Sequence, residues 1–124
     1  MKKILFIEDE SALQRAVTHI LKDHGYETLS ATDGEAGIAL AQKEIPDLIL
    51  LDLIIPKKNG FTILQELKKM STTAHIPIII LTNLEGGEDI ERALKLGATT
   101  YLVKTNYKLE EIVEKIKNIL ENAA

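Results

Sequence analysis

The chain has 124 residues, the size of one ordinary domain, and 45% of them are apolar, which excludes an intrinsically disordered protein. The net charge of −4 argues against general nucleic-acid binding, and the lack of cysteine excludes disulfides, thiolate metal sites and thiol catalysis. No uninterrupted apolar run is long enough for a secretory signal or a membrane span. We therefore expect a soluble, cytoplasmic, single domain over residues 1–124, with no membrane partner.

Short apolar runs alternate with amphipathic stretches along the chain. The apolar runs predict five β-strands, at Lys3–Ile7, Glu27–Ala31, Asp47–Leu53, Ile78–Thr82 and Thr99–Val103. Each strand is followed by apolar residues at helical spacing, which predicts five helices. These residues are Leu13 to Leu21 in the first helix, Ala36 to Leu40 in the second, Phe61 to Leu67 in the third, Ile90 to Leu96 in the fourth and Leu109 to Leu120 in the fifth.

Five repeats of strand and helix predict an α/β fold, a doubly wound parallel sheet with helices on both faces. The second strand is the most polar and suits an edge, whereas the first, third and fourth are continuously apolar, as expected for strands covered on both sides. Among doubly wound folds, five strands favour the order 2-1-3-4-5. Strands 1 and 3 are then neighbours at the switch point, where ligands bind beyond the strand ends.

Acidic residues follow both of these strands. Asp52 lies inside the apolar run from Leu48 to Ile55, near the end of the third strand, where an ionised carboxylate is costly to bury without a partner. Glu8 and Asp9 follow the first strand. Carboxylates that converge in one place repel each other, and a hard divalent cation such as Mg²⁺ relieves that repulsion. The sequence therefore predicts a magnesium site at this edge of the sheet.

Two further groups complete the predicted site. Thr82 ends the fourth strand and supplies a hydroxyl, and Lys104 follows the fifth strand and supplies an ammonium. A nucleophilic carboxylate, a cation, a hydroxyl and an ammonium together suit a phosphoryl group, with Asp52 attacking phosphorus.

These residues resemble the motifs of the response-regulator receiver domains of two-component signalling systems, which include the chemotaxis regulator. The resemblance covers essentially the whole chain. It is carried by Glu8-Asp9, by the segment from Asp52 to Gly60, by Thr82 and by Lys104. It implies a flavodoxin-like (βα)5 fold, here in a stand-alone form.

By this resemblance, Asp52 accepts a phosphoryl group from a histidine kinase or a histidine phosphotransfer protein. Asp9 and Asp52 would bind Mg²⁺ together with the backbone carbonyl of Ile54, and Glu8 would act through metal-bound water. We expect a signalling domain that takes part in its own phosphorylation and dephosphorylation, rather than an enzyme with a separate substrate.

The resemblance also implies a switch. Thr82 and Lys104 would bind the phosphoryl group, and the ring of Tyr101 would move inward as Thr82 is drawn towards it. The surface formed by the fourth helix, the fifth strand and the fifth helix would then dock to a downstream protein. The domain itself is expected to bind no nucleic acid and to be a monomer at rest.

Three other functions stay open. A Mg²⁺-dependent aspartyl-phosphate phosphohydrolase usually needs a second acid near the nucleophile, and Leu53 and Ile54 supply none. A flavin-binding flavodoxin-like domain would place its phosphate where Glu8 and Asp9 repel it. A receiver-like binding module that works without phosphorylation would not need Asp52 or Lys104.

One position departs from the family pattern. Thr105 stands after Lys104, where the family usually has proline, often with a cis peptide bond. A cis bond before a residue other than proline costs about 3–4 kcal/mol. The loop is therefore either strained and cis or reshaped and trans.

Overall fold

Five strands alternate with five helices in the computed structural model, which describes residues 1–122. The strands are β1 (Lys3–Ile7), β2 (Glu27–Ala31), β3 (Leu48–Leu51), β4 (Ile78–Thr82) and β5 (Thr100–Val103). The helices are α1 (Ser11–Asp23), α2 (Gly34–Glu44), α3 (Gly60–Lys69), α4 (Gly87–Lys95) and α5 (Leu109–Asn122). None of these helices is long and apolar enough to cross a membrane.

The strands form one parallel sheet in the order β2-β1-β3-β4-β5, which confirms the predicted doubly wound, flavodoxin-like topology. Every residue of β3 and β4 is buried, because these inner strands are covered by helices on both faces. The more polar β2 lies at one edge, as its sequence predicts.

The two faces of the sheet carry separate apolar cores, because successive strand residues point to opposite sides. Ile49, Leu51, Ile78 and Ile80 pack with residues of α2, α3 and α4. Their neighbours in the chain pack on the other face against α1 and α5; they are Leu48, Leu50, Ile79 and Leu81. Burial of this apolar surface stabilises the sheet and holds its carboxyl edge in place.

Three predicted strand boundaries, in the third and fifth strands, were wrong by one or two residues. The third strand ends at Leu51 rather than Leu53, because the carboxylate of Asp52 accepts a hydrogen bond from the N–H of Ile54 at 3.1 Å and turns the chain. The same strand begins at Leu48 rather than Asp47, whose side chain caps the N–H of Lys3 at 2.7 Å. The fifth strand begins at Thr100 rather than Thr99.

The loop after Asp52 is held by a close backbone contact. The N–H of Gly60 donates to the carbonyl of Leu53 at 3.1 Å. A Cβ atom at Gly60 would lie 2.3 Å from the Cα atom of Leu53, so only glycine fits this approach. The side chain of Asn59 then accepts from the N–H of Phe61 at 2.8 Å and caps α3. These contacts fix the segment that follows Asp52.

Of the two alternatives for the loop between β5 and α5, the structure has the trans one. The peptide bonds of residues 1–122 include no cis bond, so Lys104–Thr105 is trans. Residues Lys104–Asn106 form a 3-10 turn directly after β5. Lys104 therefore stays at the carboxyl edge of the sheet without proline after it.

Candidate functional site

The parallel pairing of β1 and β3 brings the acidic residues together. Ile7 pairs with Leu51, so Glu8 and Asp52 leave neighbouring strands at the same level, and the N–H of Asp52 donates to the carbonyl of Ile7 at 3.1 Å. Glu8, Asp9 and Asp52 each offer a carboxylate oxygen, and these oxygens lie within 4.8 Å of one another. The predicted acidic cluster is therefore present, with Glu8 and Asp52 buried and Asp9 exposed.

Glu8 has no exposed surface and is nevertheless well partnered. Its Oε1 lies 2.6 Å from the ammonium of Lys104, and its Oε2 accepts from the N–H of Glu10 at 3.0 Å. Burial raises the pKa of Glu8, since it disfavours the charged form, and the contacts with Lys104 and the N–H of Glu10 oppose the shift only in part.

Lys104 joins both buried carboxylates. Its ammonium lies 2.8 Å from Oδ2 of Asp52 as well as 2.6 Å from Glu8, and its side chain is 12% exposed. Burial alone lowers the pKa of Lys104, but the hydrogen bonds and charges of Asp52 and Glu8 outweigh that effect and raise it. Lys104 therefore stays charged at neutral pH and holds Asp52 at the mouth of the site.

The donor set fits a hard divalent cation. Carboxylate oxygens from three residues converge at one point, and oxygen is the ligand type that Mg²⁺ prefers. The ammonium of Lys104 neutralises about one of the three negative charges if all are ionised, which leaves net negative charge for a cation to bind. Ile54, the predicted backbone ligand, lines the same cleft.

Thr82 ends β4 with a buried hydroxyl that lacks a partner. The residue has no exposed surface, and its Oγ1 makes no hydrogen bond to any residue in the described part of the chain. A buried hydroxyl without a hydrogen bond costs about 1–3 kcal/mol, so such a group is uncommon in a folded protein. Thr82 therefore offers a free donor beside the acidic cleft.

Tyr101 ties the β4–α4 loop to β5. It pairs with Ile80 across the sheet and packs against the core under α3 and α4. Its hydroxyl donates to the carbonyl of Leu84 at 2.8 Å. Burial, together with the charges of Asp89 and Asp52, raises the pKa of Tyr101 to about 12, so the hydroxyl stays a donor.

A cleft of about 390 Å³ opens above these groups. Five sequence-predicted residues line it, whereas Thr82 and Tyr101 do not; the five are Glu8, Asp9, Asp52, Ile54 and Lys104. The sequence analysis missed Asn83, which lines the cleft directly after Thr82. Its place just beyond a strand that ends in a site residue is the signal that could have identified it.

Comparison with known proteins decides the family. The chain matches the model of the response regulator receiver domain over residues 4–117. The chain belongs to this family. That assignment confirms the resemblance on which the predicted site is based.

Individual relatives agree with the assignment. The chain is 39% identical over 120 residues to the DNA-binding dual master transcriptional regulator RpaA of Synechocystis, covering 97% of this chain and 49% of that protein. It superposes on a two-component response regulator from Clostridium difficile with a TM-score of 0.92 and 27% identity, over 99% of this chain and 98% of that one. For chemotaxis protein CheY4 of Vibrio cholerae the TM-score is 0.89 at 31% identity, over 96% and 98% of the two chains.

The chain matches only part of the length of its curated relatives. The chain spans about half the length of RpaA and of the transcriptional regulatory protein CiaR of Streptococcus pneumoniae. What the comparisons establish is therefore the receiver domain, which these longer regulators share.

Proposed function

We propose that residues 1–124 form one receiver domain that accepts a phosphoryl group on Asp52 and relays the event through its surface. The observation that carries this proposal is the convergence of Asp52 with Glu8, Asp9 and Lys104 in one cleft at the carboxyl edge of the sheet. This edge is the usual ligand site of a doubly wound fold.

Asp52 is the proposed nucleophile. One of its carboxylate oxygens would attack the phosphorus of a phosphohistidine, on a histidine kinase or a phosphotransfer protein, and the bond from phosphorus to the imidazole nitrogen would break. The product is an acyl phosphate on Asp52 and a free histidine on the donor. The hydrogen bond from Ile54 N–H to Oδ1 leaves Asp52 in a fixed orientation for this attack.

Mg²⁺ is the proposed cation of the site. Asp9 and Asp52 would bind it with the backbone carbonyl of Ile54, and Glu8, which already bonds to Lys104, would act through water. When bound, Mg²⁺ neutralises charge on the phosphoryl oxygens. Lys104 would supply the second positive charge and Thr82 a hydrogen bond, so both would act on the phosphoryl group that arrives at Asp52.

The unpaired hydroxyl of Thr82 supports a switch. A phosphoryl group on Asp52 would give Thr82 an acceptor and draw it towards the cleft, and Tyr101, which packs on the same face of the sheet, would respond. Tyr101 also holds the carbonyl of Leu84, so its position is coupled to the β4–α4 loop. Phosphorylation would thereby bias the α4–β5–α5 surface between two states.

The output of this domain is proposed to be docking of the α4–β5–α5 surface to a downstream protein. The domain itself is proposed to bind no nucleic acid, in keeping with its net charge of −4, and to be a monomer before phosphorylation. Its role is that of a phosphoacceptor rather than an enzyme acting on a separate substrate. The cytoplasmic location stays a prediction.

The test is intact-mass measurement after incubation with acetyl phosphate or phosphoramidate. We expect wild-type protein with Mg²⁺ to gain one phosphoryl group, and Asp52→Ala or chelation of Mg²⁺ to abolish the gain. Asp47→Ala is a matched control, because Asp47 precedes β3 at the end of the strand away from the cleft. Its carboxylate accepts a hydrogen bond from the backbone N–H of Lys3.

The same experiment separates the alternatives. A wild-type protein that gains no mass, while Mg²⁺ binding is confirmed and the donor stays intact, would indicate a phosphorylation-independent binding module. A protein that gains no mass but steadily releases phosphate from the donor would indicate a phosphohydrolase. Either result would contradict the proposed phosphoacceptor.

A further inference from the structure

The loop of residues 8–10, which carries Glu8 and Asp9 of the acidic cluster, is held by a side chain that does not line the cleft. Gln14, on the first turns of α1, donates from Nε2 to the carbonyl of Glu8 at 3.0 Å and to the carbonyl of Ala31 at 3.1 Å. Ala31 ends β2, and its carbonyl also accepts from the N–H of Glu8 at 2.9 Å. The amide of Gln14 thus joins the ends of β1 and β2 at the edge where the site lies.

This contact requires a side chain that can donate two hydrogen bonds. An NH₂ group has two hydrogens, and both are used here, one for each carbonyl. The reversed amide would place Oε1 of Gln14 against two carbonyl oxygens, which cannot donate. A carboxylate or a thioether of the same length cannot donate either. The half-buried Gln14 therefore fits a position that few other residues can fill.

The carbonyl that Gln14 holds belongs to the peptide group between Glu8 and Asp9. Holding that peptide plane limits rotation about the backbone of Asp9, and so limits where its carboxylate can lie. Among the described residues, the Asp9 side chain makes no hydrogen bond of its own, although its oxygen lies within 4.8 Å of those of Glu8 and Asp52. The backbone is therefore what places Asp9.

We propose that Gln14 is a positioning residue that sets the cation affinity of the site by fixing the Glu8–Asp9 peptide. This inference rests on the proposed role of Asp9 in binding Mg²⁺. Gln14 touches neither the cation nor the phosphoryl group, and its effect passes through Asp9. Groups that orient metal ligands without touching the metal commonly change affinity by about 10–100-fold when removed.

The experiment is a Mg²⁺ titration of ¹⁵N-labelled protein followed by NMR, which also reports whether each variant is folded. Gln14→Met keeps the length of the side chain and removes both donors. We expect its Mg²⁺ dissociation constant to rise roughly tenfold. Gln65→Met is the matched control, since Gln65 is an exposed glutamine on α3, and we expect no change. Gln14→Ala lets water reach the two carbonyls and is the second variant if Gln14→Met does not fold.

A double-mutant cycle distinguishes positioning from a purely structural role. If Gln14 acts through Asp9, Gln14→Met should have little effect on Mg²⁺ affinity in an Asp9→Asn background, because coupled residues are not additive. A structural role alone would lower stability in urea without Mg²⁺ while the folded variant bound Mg²⁺ like wild type, which would overturn the inference. Wild-type protein that bound no Mg²⁺ would overturn the proposed cation site and this inference with it, a result visible before any variant is made.

Discussion

The ammonium of Lys104 bonds to the carboxylate of Asp52 at 2.8 Å, although 52 positions of sequence separate the two residues and β4 lies between the strands that they follow. The same ammonium lies 2.6 Å from Glu8, so one cation compensates two buried carboxylates. Removal of one partner from a buried ion pair leaves the other charge without compensation, which is more costly than the pair itself is worth. Lys104 therefore contributes to stability, apart from its proposed role in phosphoryl transfer.

Lys104→Met should destabilise the domain. We expect the free energy of unfolding at pH 7 without Mg²⁺ to fall by about 3 kcal/mol, the lower end for a broken buried pair, because the cleft is open to water. Urea unfolding followed by circular dichroism measures this, since the chain has no tryptophan. Lys108→Met, at an exposed lysine, is the matched control.

The stability lost in Lys104→Met should depend on pH. The raised pKa of Lys104 means that its stabilising contribution is fully present below its usual value of 10.5 and is lost as the pH rises above it. Without Lys104, Glu8 keeps a burial penalty on its charged form, which protonation relieves. The difference between wild type and variant should therefore shrink from pH 7 to pH 5. A difference that grew on acidification would contradict this account.

The Thr82→Val variant should keep the stability of the wild type and lose the structural response to phosphorylation. Valine has nearly the shape of threonine but no hydroxyl, and the hydroxyl of Thr82 is buried without a hydrogen-bond partner among residues 1–122. We expect the free energy of unfolding to stay the same or rise by up to about 1 kcal/mol, since no bond is lost and a desolvated group is removed.

The phosphorylated Thr82→Val protein should lose its structural response. NMR shifts of Tyr101 and the β4–α4 loop on phosphorylation should be large in wild type and small in the variant. A strongly destabilised variant would show that Thr82 is bonded in the resting protein, and a full response would show that its hydroxyl has no part in the switch.

Tyr101 should ionise at unusually high pH. Its pKa is raised to about 12 from the usual 10, because its hydroxyl is partly buried and lies near the negative charges of Asp89 and Asp52. The absorbance difference between wild type and Tyr101→Phe during alkaline titration should show one ionisation near that value. Because the folded pKa is the higher one, stability is lost as the pH rises from 10 to about 12. An ionisation near 10 would mean that the hydroxyl lies in water.

Much of the fold and site was predictable because it depends on local patterns. The alternation of apolar runs and helical spacing gave the strand order, and the carboxyl ends of adjacent parallel strands must meet at one edge. Asp52 was identifiable because a carboxylate within an apolar run needs a partner, and Lys104 proved to be that partner.

Other features depend on the tertiary structure and have no local signal in the sequence. The bonds from Gln14 to two strand ends need the three-dimensional positions of α1, β1 and β2. Ile45, after α2, has a φ of 44°, although β-branched residues rarely adopt the left-handed region and the sequence signals nothing unusual there.

The strain at Ile45 leads to a stability prediction. Helices commonly end in a left-handed residue that is usually glycine, whereas Ile45 carries a side chain that is 39% exposed. Ile45→Gly should be more stable than Ile45→Ala by about 0.5–1 kcal/mol, since both variants lose the side chain beyond Cβ and only glycine relieves the strain, which exceeds the backbone entropy that glycine adds. At Ile54, an exposed isoleucine with negative φ, the glycine variant should instead be the less stable of the same pair. An Ile45→Gly protein less stable than Ile45→Ala would show that the left-handed backbone at this position costs nothing.

The most direct test of the phosphoacceptor is to locate the phosphoryl group. Protein phosphorylated from acetyl phosphate with Mg²⁺ is treated with borohydride, which reduces an aspartyl phosphate to homoserine, and the peptides are sequenced by mass spectrometry. The account predicts homoserine at position 52 and nowhere else in the acidic cluster. Reduction at Asp9, or a phosphoryl group on a residue outside the cleft, would contradict it.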